Sequence, residues 1–116
     1  MNIISDETFN NKKFATTIIH RSIFWIEEFK KYNQPTYIKA DVEFYNKQFS
    51  KLVEELNELL DSEENIAFFE QDTLKYLSTE ESKEIILMLL EKCHYYKHNI
   101  SALISDKVQE HRTKNN

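Results

Sequence analysis

The sequence predicts an all-α protein, and three observations carry this prediction. The chain of 116 residues has no glycine and one proline, which excludes glycine-dependent hairpins and phosphate-binding loops. Apolar residues recur at alternating intervals of four and three from Ile38 to Leu59, the rhythm of a helix packed along its length. The composition, 41% hydrophobic and 30% charged, is typical of a globular domain. We therefore expect an antiparallel up-down bundle of three long helices plus one shorter helix.

The first helix is predicted over residues 11–32. Gln34 precedes Pro35 and is pushed away from helical geometry, so the helix must end before this pair. At 100° per residue, one face of the helix gathers most of its apolar side chains. These are Phe14, Ile18, Trp25, Ile26, Phe29 and Tyr32, with Ile19 and Ile23 widening the face.

The second helix is predicted to begin at Pro35 or Thr36 and to end near Leu60. Its inward positions follow the alternating intervals. They are Ile38, Val42, Tyr45, Phe49, Leu52, Leu56 and Leu59. Tyr37 and Phe44 fall together on a separate stripe, about 100° from this inward face.

The remaining chain predicts a short helix beginning at Asp61 or Ser62, followed by a long helix over residues 79–110. Ser78 and Glu81 have the spacing of a capping box at the start of the long helix. Its inward side chains are Ile85, Leu89, Cys93, Tyr96, Ile100 and Leu103, flanked by Ile86, Leu90, Ile104 and Val108. Residues 1–116 then form one domain, with residues 1–10 and 111–116 as poorly ordered ends.

Charge and cysteine content narrow the function classes. The net charge of −5 argues against a general nucleic-acid binder, which needs clustered lysine and arginine. One cysteine permits no internal disulfide, and no run of about 18 apolar residues could span a membrane. We therefore expect a cytoplasmic protein. It is expected to be a monomer or a homodimer, because the alternating intervals of four and three could also form a coiled coil between two copies. Abundant lysine, isoleucine and asparagine suit an AT-rich genome.

The last helix carries the residues that most resemble a metal site. His94 and His98 are spaced i, i+4, and Glu91 precedes His94 by three, as in helical zinc sites. These side chains project away from Leu89 and Cys93, so we expect them to face solvent. A metal or small-ligand site using this His/Glu cluster is the alternative to a protein that needs no cofactor.

Two further groups are predicted to be structural. Cys93 lies within the apolar face, where a thiol behaves as a small hydrophobic side chain. Glu54, Glu55 and Glu58 flank the heptad face and are expected to face water. With no nucleophile or acid–base pair, the sequence predicts that the protein is not an enzyme.

The segment from residue 61 to 81 is strongly acidic. It contains seven carboxylates and one lysine, a net charge of −6, so the rest of the chain is close to neutral. The acidic side chains either steer a basic protein partner or only complement two helix dipoles. Under the first interpretation the partner-binding acidic residues are Glu63, Glu64, Glu70 and Asp72.

Several aromatic residues do not fit the inward faces, and aromatic side chains commonly anchor protein interfaces. Phe24, Tyr37 and Phe44 are the predicted anchors. The turn at Pro35 would bring Phe24 and Phe44 to similar heights, as one patch or as two isolated rings. The sequence thus favours a small acidic binding module that occludes or regulates a protein partner, of the inhibitor, immunity or adaptor type.

Overall fold

The part of the chain that the structure describes is all-α, as predicted. The computed structural model describes residues 6–61 and 79–114. Within these residues it contains three helices, α1 (Asp6–Lys30), α2 (Lys39–Leu60) and α3 (Thr79–Lys114). The predicted short helix and the capping residue Ser78 lie outside the described residues. No described helix combines the length and the apolar character needed to cross a membrane.

The helix boundaries differ from the prediction at four of six places. Helix α1 begins and ends earlier than expected, at Asp6 and Lys30, and α2 begins at Lys39 instead of Pro35 or Thr36. Residue Ile38 has extended backbone, φ −122° and ψ 115°, and no side chain caps the first turn of α2. Helix α3 begins at the predicted Thr79 but continues to Lys114, because its last turn carries the basic side chains that a helix C-terminus favours.

The buried core matches most of the predicted inward faces. Its members are Ile18, Ile19, Ile26, Phe29, Phe49, Leu52, Val53, Leu56, Leu59, Ile86, Leu89, Cys93, Ile100, Ile104 and Val108. The prediction is wrong for Ile23 and Ile38, which are 45% and 37% exposed instead of buried. Ile38 precedes the helix, so the heptad geometry does not apply to it. Ile23 lies on the edge of α1, beyond the face that Ile19 and Ile26 define.

Three rings, one from each helix, join at the centre of the bundle. The centroid of Phe29 lies 6.0 Å from that of Phe49 and 5.2 Å from that of Tyr96, and the Phe49 and Tyr96 centroids are 5.1 Å apart. Contacts between helices are concentrated where α2 meets α3, and α1 contributes less. These rings therefore hold α1 onto the pair formed by α2 and α3.

The end of α1 and the connector that follows it, residues 31–38, are each attached to α3. Lys107 Nζ donates a hydrogen bond to the carbonyl oxygen of Lys30 at 3.2 Å and lies 4.9 Å from the centroid of Phe29. The hydroxyl groups of Tyr37 and Ser101 are hydrogen-bonded at 2.9 Å. Since the chain has no glycine for a left-handed C-cap, Lys107 satisfies a carbonyl at the end of α1 from another helix.

The Lys107→Ala variant is expected to lower the free energy of unfolding by about 1–2 kcal/mol, through loss of the carbonyl hydrogen bond and the cation–π contact. Denaturant unfolding followed by circular dichroism measures this change. Lys92→Ala is the matched control, because Lys92 is an exposed lysine on the same helix. Equal stability of the two variants would contradict a capping role for Lys107.

Candidate functional site

Phe24, Trp25 and Phe44 form a continuous surface, here named the aromatic patch. Phe24 is 53% exposed and Phe44 is 47% exposed. The half-buried Trp25 lies between them, with its ring centroid 5.2 Å from that of Phe24 and 5.5 Å from that of Phe44, both in edge-to-face geometry. Phe24 and Phe44 therefore belong to one patch that spans α1 and α2.

The patch arises because each helix has two consecutive aromatic residues at the edge of its inward face. On α1, Trp25 packs against the core and its neighbour Phe24 is turned toward solvent. On α2, Tyr45 packs against the core, and Phe44 is the exposed neighbour. Tyr45 lies 6.3 Å from Trp25 and 5.4 Å from Phe44, so it supports the patch from beneath.

Two polar links to α2, one from α1 and one from the connector that follows it, lie on either side of the patch. At one end the Tyr32 hydroxyl donates a 2.7 Å hydrogen bond to Asp41. At the other end Arg21 Nη1 contacts both carboxylate oxygens of Glu55, at 2.9 and 2.8 Å. Burial, followed by the bond to Asp41, raises the pKa of Tyr32 well above its ordinary value. These links fix the two helices on either side of the rings.

One of the glutamates predicted to face water is half-buried. The Glu55 side chain is 14% exposed, because Arg21 reaches across from α1 and neutralises it. Glu54 and Glu58 are exposed, as predicted. Sequence spacing within α2 contains no signal for this difference, because the partner of Glu55 comes from another helix.

The predicted anchor Tyr37 is not joined to the patch. Tyr37 is 45% exposed but precedes α2, so the expected common stripe with Phe44 is wrong, and its hydroxyl contacts Ser101 of α3 instead. Glu63, Glu64, Glu70 and Asp72 lie outside the described residues. Trp25, which the sequence places in the core, is the residue that the prediction missed.

The predicted His/Glu cluster lies on the surface of α3. The rings of His94 and His98 are parallel, with centroids 6.0 Å apart, and Glu91 is exposed. Within the described residues, no group of three or more His, Cys, Asp or Glu side chains could hold a metal ion. Nearby Cys93 is fully buried, and burial raises the pKa of its thiol to about 12, so it is protonated at neutral pH.

Two surface clefts lie among the described residues, and neither includes the rings of the aromatic patch. One, of about 360 Å³, is lined by Met88, Glu91, Lys92, Tyr95 and Tyr96. The other, of about 220 Å³, is lined by Lys30, Tyr32, Asn33, Lys107, Glu110, His111 and Lys114. The lysines of the second cleft already have partners, since Lys30 pairs with Glu27, Lys114 pairs with Glu110, and Lys107 caps α1.

Both clefts are lined by a mixture of polar and apolar side chains. By contrast, the aromatic patch combines exposed rings, close mutual contact and rigid support from the core. No family model, curated protein or solved structure matches this chain.

Proposed function

We propose that the protein is a small binding module that occludes or regulates a protein partner, as inhibitors, immunity proteins and adaptors do. The aromatic patch is the observation that supports this proposal. Scattered exposed apolar residues are ordinary, but clustered aromatic rings on a rigid surface have the properties of interface hot spots. Phe24 and Phe44 are the proposed anchors, and they need no cofactor and no catalytic group.

The proposal includes the finer architecture, an antiparallel up-down bundle with a shorter helix between α2 and α3. The order of the cross-helix pairs supports opposite directions for α1 and α2. Tyr32, just after the end of α1, contacts Asp41 early in α2, whereas Arg21, within α1, contacts Glu55 late in α2. An antiparallel pair presents Phe24 and Phe44 on one side.

The proposed partner has a basic surface, because the segment between α2 and α3 concentrates negative charge. Glu63, Glu64, Glu70 and Asp72 would steer its approach, while the aromatic patch holds it. The setting we propose is the cytoplasm, with the protein acting as a monomer or homodimer and binding neither nucleic acid nor membrane.

Partner capture with matched baits tests the proposal. The wild-type protein, Phe44→Ala and Tyr95→Ala are immobilised at equal density and exposed to extract of the native host, and bound proteins are quantified by mass spectrometry. Tyr95 is the control because it is 55% exposed, like the anchors, but lies on α3 away from the patch. We expect a protein that wild type and Tyr95→Ala retain equally and Phe44→Ala loses.

Binding kinetics with the captured protein separate anchoring from steering. Phe24→Ala and Phe44→Ala should speed dissociation about 30-fold or more, as expected for truncated hot spots of about 2 kcal/mol. Neutralising Glu63, Glu64, Glu70 and Asp72 should slow association at low salt with little change in dissociation. Equal retention by all three baits would overturn the role of the patch, and unchanged association would overturn steering.

A second candidate function, metal binding on α3, is limited to the pair His94 and His98, because Glu91 does not join them in a group of three ligands. The parallel imidazole rings on adjacent turns are the observation that favours it. If this function is correct, zinc should raise the melting temperature by mass action, and His94→Ala should abolish the increase. We expect no increase beyond that of a weak surface histidine pair, and His20→Ala provides the control on α1.

A further inference from the structure

The two ends of the aromatic patch differ in charge. At the end near the connector, Glu28 lies one helical turn from Phe24 and Trp25 on α1, and Asp41 lies one turn from Phe44 on α2. Both carboxylates also add to the effect of burial in raising the pKa of Tyr45. Glu28 retains 42% exposure, and its closest lysine, Lys31, is 4.0 Å away at the limit of an ion pair. This end therefore presents two carboxylates beside exposed aromatic rings.

The opposite end of the patch is already neutralised. Glu55 receives both of its short contacts from Arg21, and Lys51 lies 4.0 Å from the same carboxylate. A cation arriving from a partner would gain little there, because Arg21 already occupies both carboxylate oxygens. The patch consequently has one acidic end and one internally paired end.

We propose that the aromatic patch receives a lysine or arginine side chain of the partner, with its methylene stem across Trp25 and Phe44 and its cation beside Glu28 and Asp41. This inference rests on the proposed function and specifies the chemistry of the partner at that surface. Long basic side chains cover apolar surface while their charged ends remain near water. Exposed aromatic rings also attract cations, and carboxylates add charge-assisted hydrogen bonds.

Trp25 makes a direct test possible because it is the only tryptophan in the chain. Its fluorescence is followed while the full protein is titrated with a short amphipathic helical peptide of leucine and lysine. The matched probe replaces each lysine with glutamate. We expect the lysine peptide to shift the Trp25 emission at physiological salt, and the glutamate peptide to bind about ten-fold more weakly or not measurably.

Two double variants with the same net charge distinguish a local site from general attraction to an acidic protein. Glu28→Gln with Asp41→Asn removes the carboxylates beside the patch, whereas Glu54→Gln with Glu58→Gln removes two exposed carboxylates elsewhere on α2. We expect the first variant to weaken lysine-peptide binding about ten-fold and the second to weaken it less than about two-fold. Circular dichroism verifies that both variants remain folded.

The outcomes separate this inference from the proposed function. If both peptides shift the Trp25 emission equally, or both double variants weaken binding equally, the basic side-chain site is overturned while the patch remains a binding surface. If Phe24→Ala and Phe44→Ala bind the lysine peptide as tightly as the wild-type protein does, the basic side-chain site is likewise overturned. The partner-capture result then decides the proposed function independently.

Discussion

Phe49→Ala is expected to lower the free energy of unfolding by about 3–5 kcal/mol, the range for removing a buried phenylalanine ring. Phe49 is fully buried and contacts rings from both other helices, Phe29 on α1 and Tyr96 on α3. Its truncation leaves a cavity where all three helices meet, so the loss cannot be confined to one interface. Denaturant unfolding monitored by circular dichroism measures the change.

Phe44→Ala provides the matched control, because it makes the same chemical change on the same helix at a residue that is 47% exposed. We expect it to cost about 1 kcal/mol or less, mainly from the edge-to-face contacts with Trp25 and Tyr45. The pair thus separates stability from binding within one helix. A loss at Phe44 as large as that at Phe49 would place Phe44 in the core and contradict the patch.

The protein is expected to lose stability as the pH rises above about 9. The pKa of the buried Cys93 thiol is raised from 9.0 to about 12, so the unfolded chain loses this proton first. The contribution of the protonated thiol to stability is fully present below pH 9. It is lost as the pH rises toward and through the pKa of the thiol in the folded protein. Each pH unit within that window removes about 1.4 kcal/mol for a fully protected group.

Tyrosine and lysine side chains also change the stability of the protein at alkaline pH. The pKa values of Tyr32 and Tyr45 are also raised, chiefly by burial, so their contributions are lost as the pH rises above about 10. Burial lowers the pKa of Lys107, which acts in the opposite sense and offsets part of the loss. Melting temperatures measured from pH 7 to 11 test the prediction.

Two variants separate the sources of the pH effect. In Cys93→Ala the decline should begin about one pH unit later, because the remaining tyrosines have ordinary pKa values of 10.0. In Tyr32→Phe the part of the decline above pH 10 should be smaller. Constant stability between pH 9 and 11 in the wild-type protein would contradict the burial of all three groups.

Apolar spacing is sufficient to predict the all-helical class and the inward face of α2. The intervals of four and three on α2 identify Phe49, Leu52, Leu56 and Leu59, all of which are buried. A long helix with a regular pattern averages over local exceptions, so its inward face is clear from sequence alone. For the same reason Cys93 could be assigned to the core without knowledge of its neighbours.

The errors occur where a distant residue or a turn decides the outcome. Ile38 and Tyr37 were placed on a helix because Pro35 is compatible with a helix start, but the connector remains non-helical to residue 38. Glu55 is half-buried because Arg21, 34 residues earlier, pairs with it. Apolar spacing places Trp25 in the core and gives no sign that its ring also lies between those of Phe24 and Phe44.

The hydrogen bond from Lys107 to Lys30 also affects local opening of the backbone at the end of α1. The two residues are separated by 77 positions, so the end of α1 is completed only after α3 has docked. Fraying of α1 at this end therefore also breaks a contact with α3. Backbone amide protons of Lys31 and Tyr32 should then exchange with solvent more slowly in the wild-type protein than in Lys107→Ala.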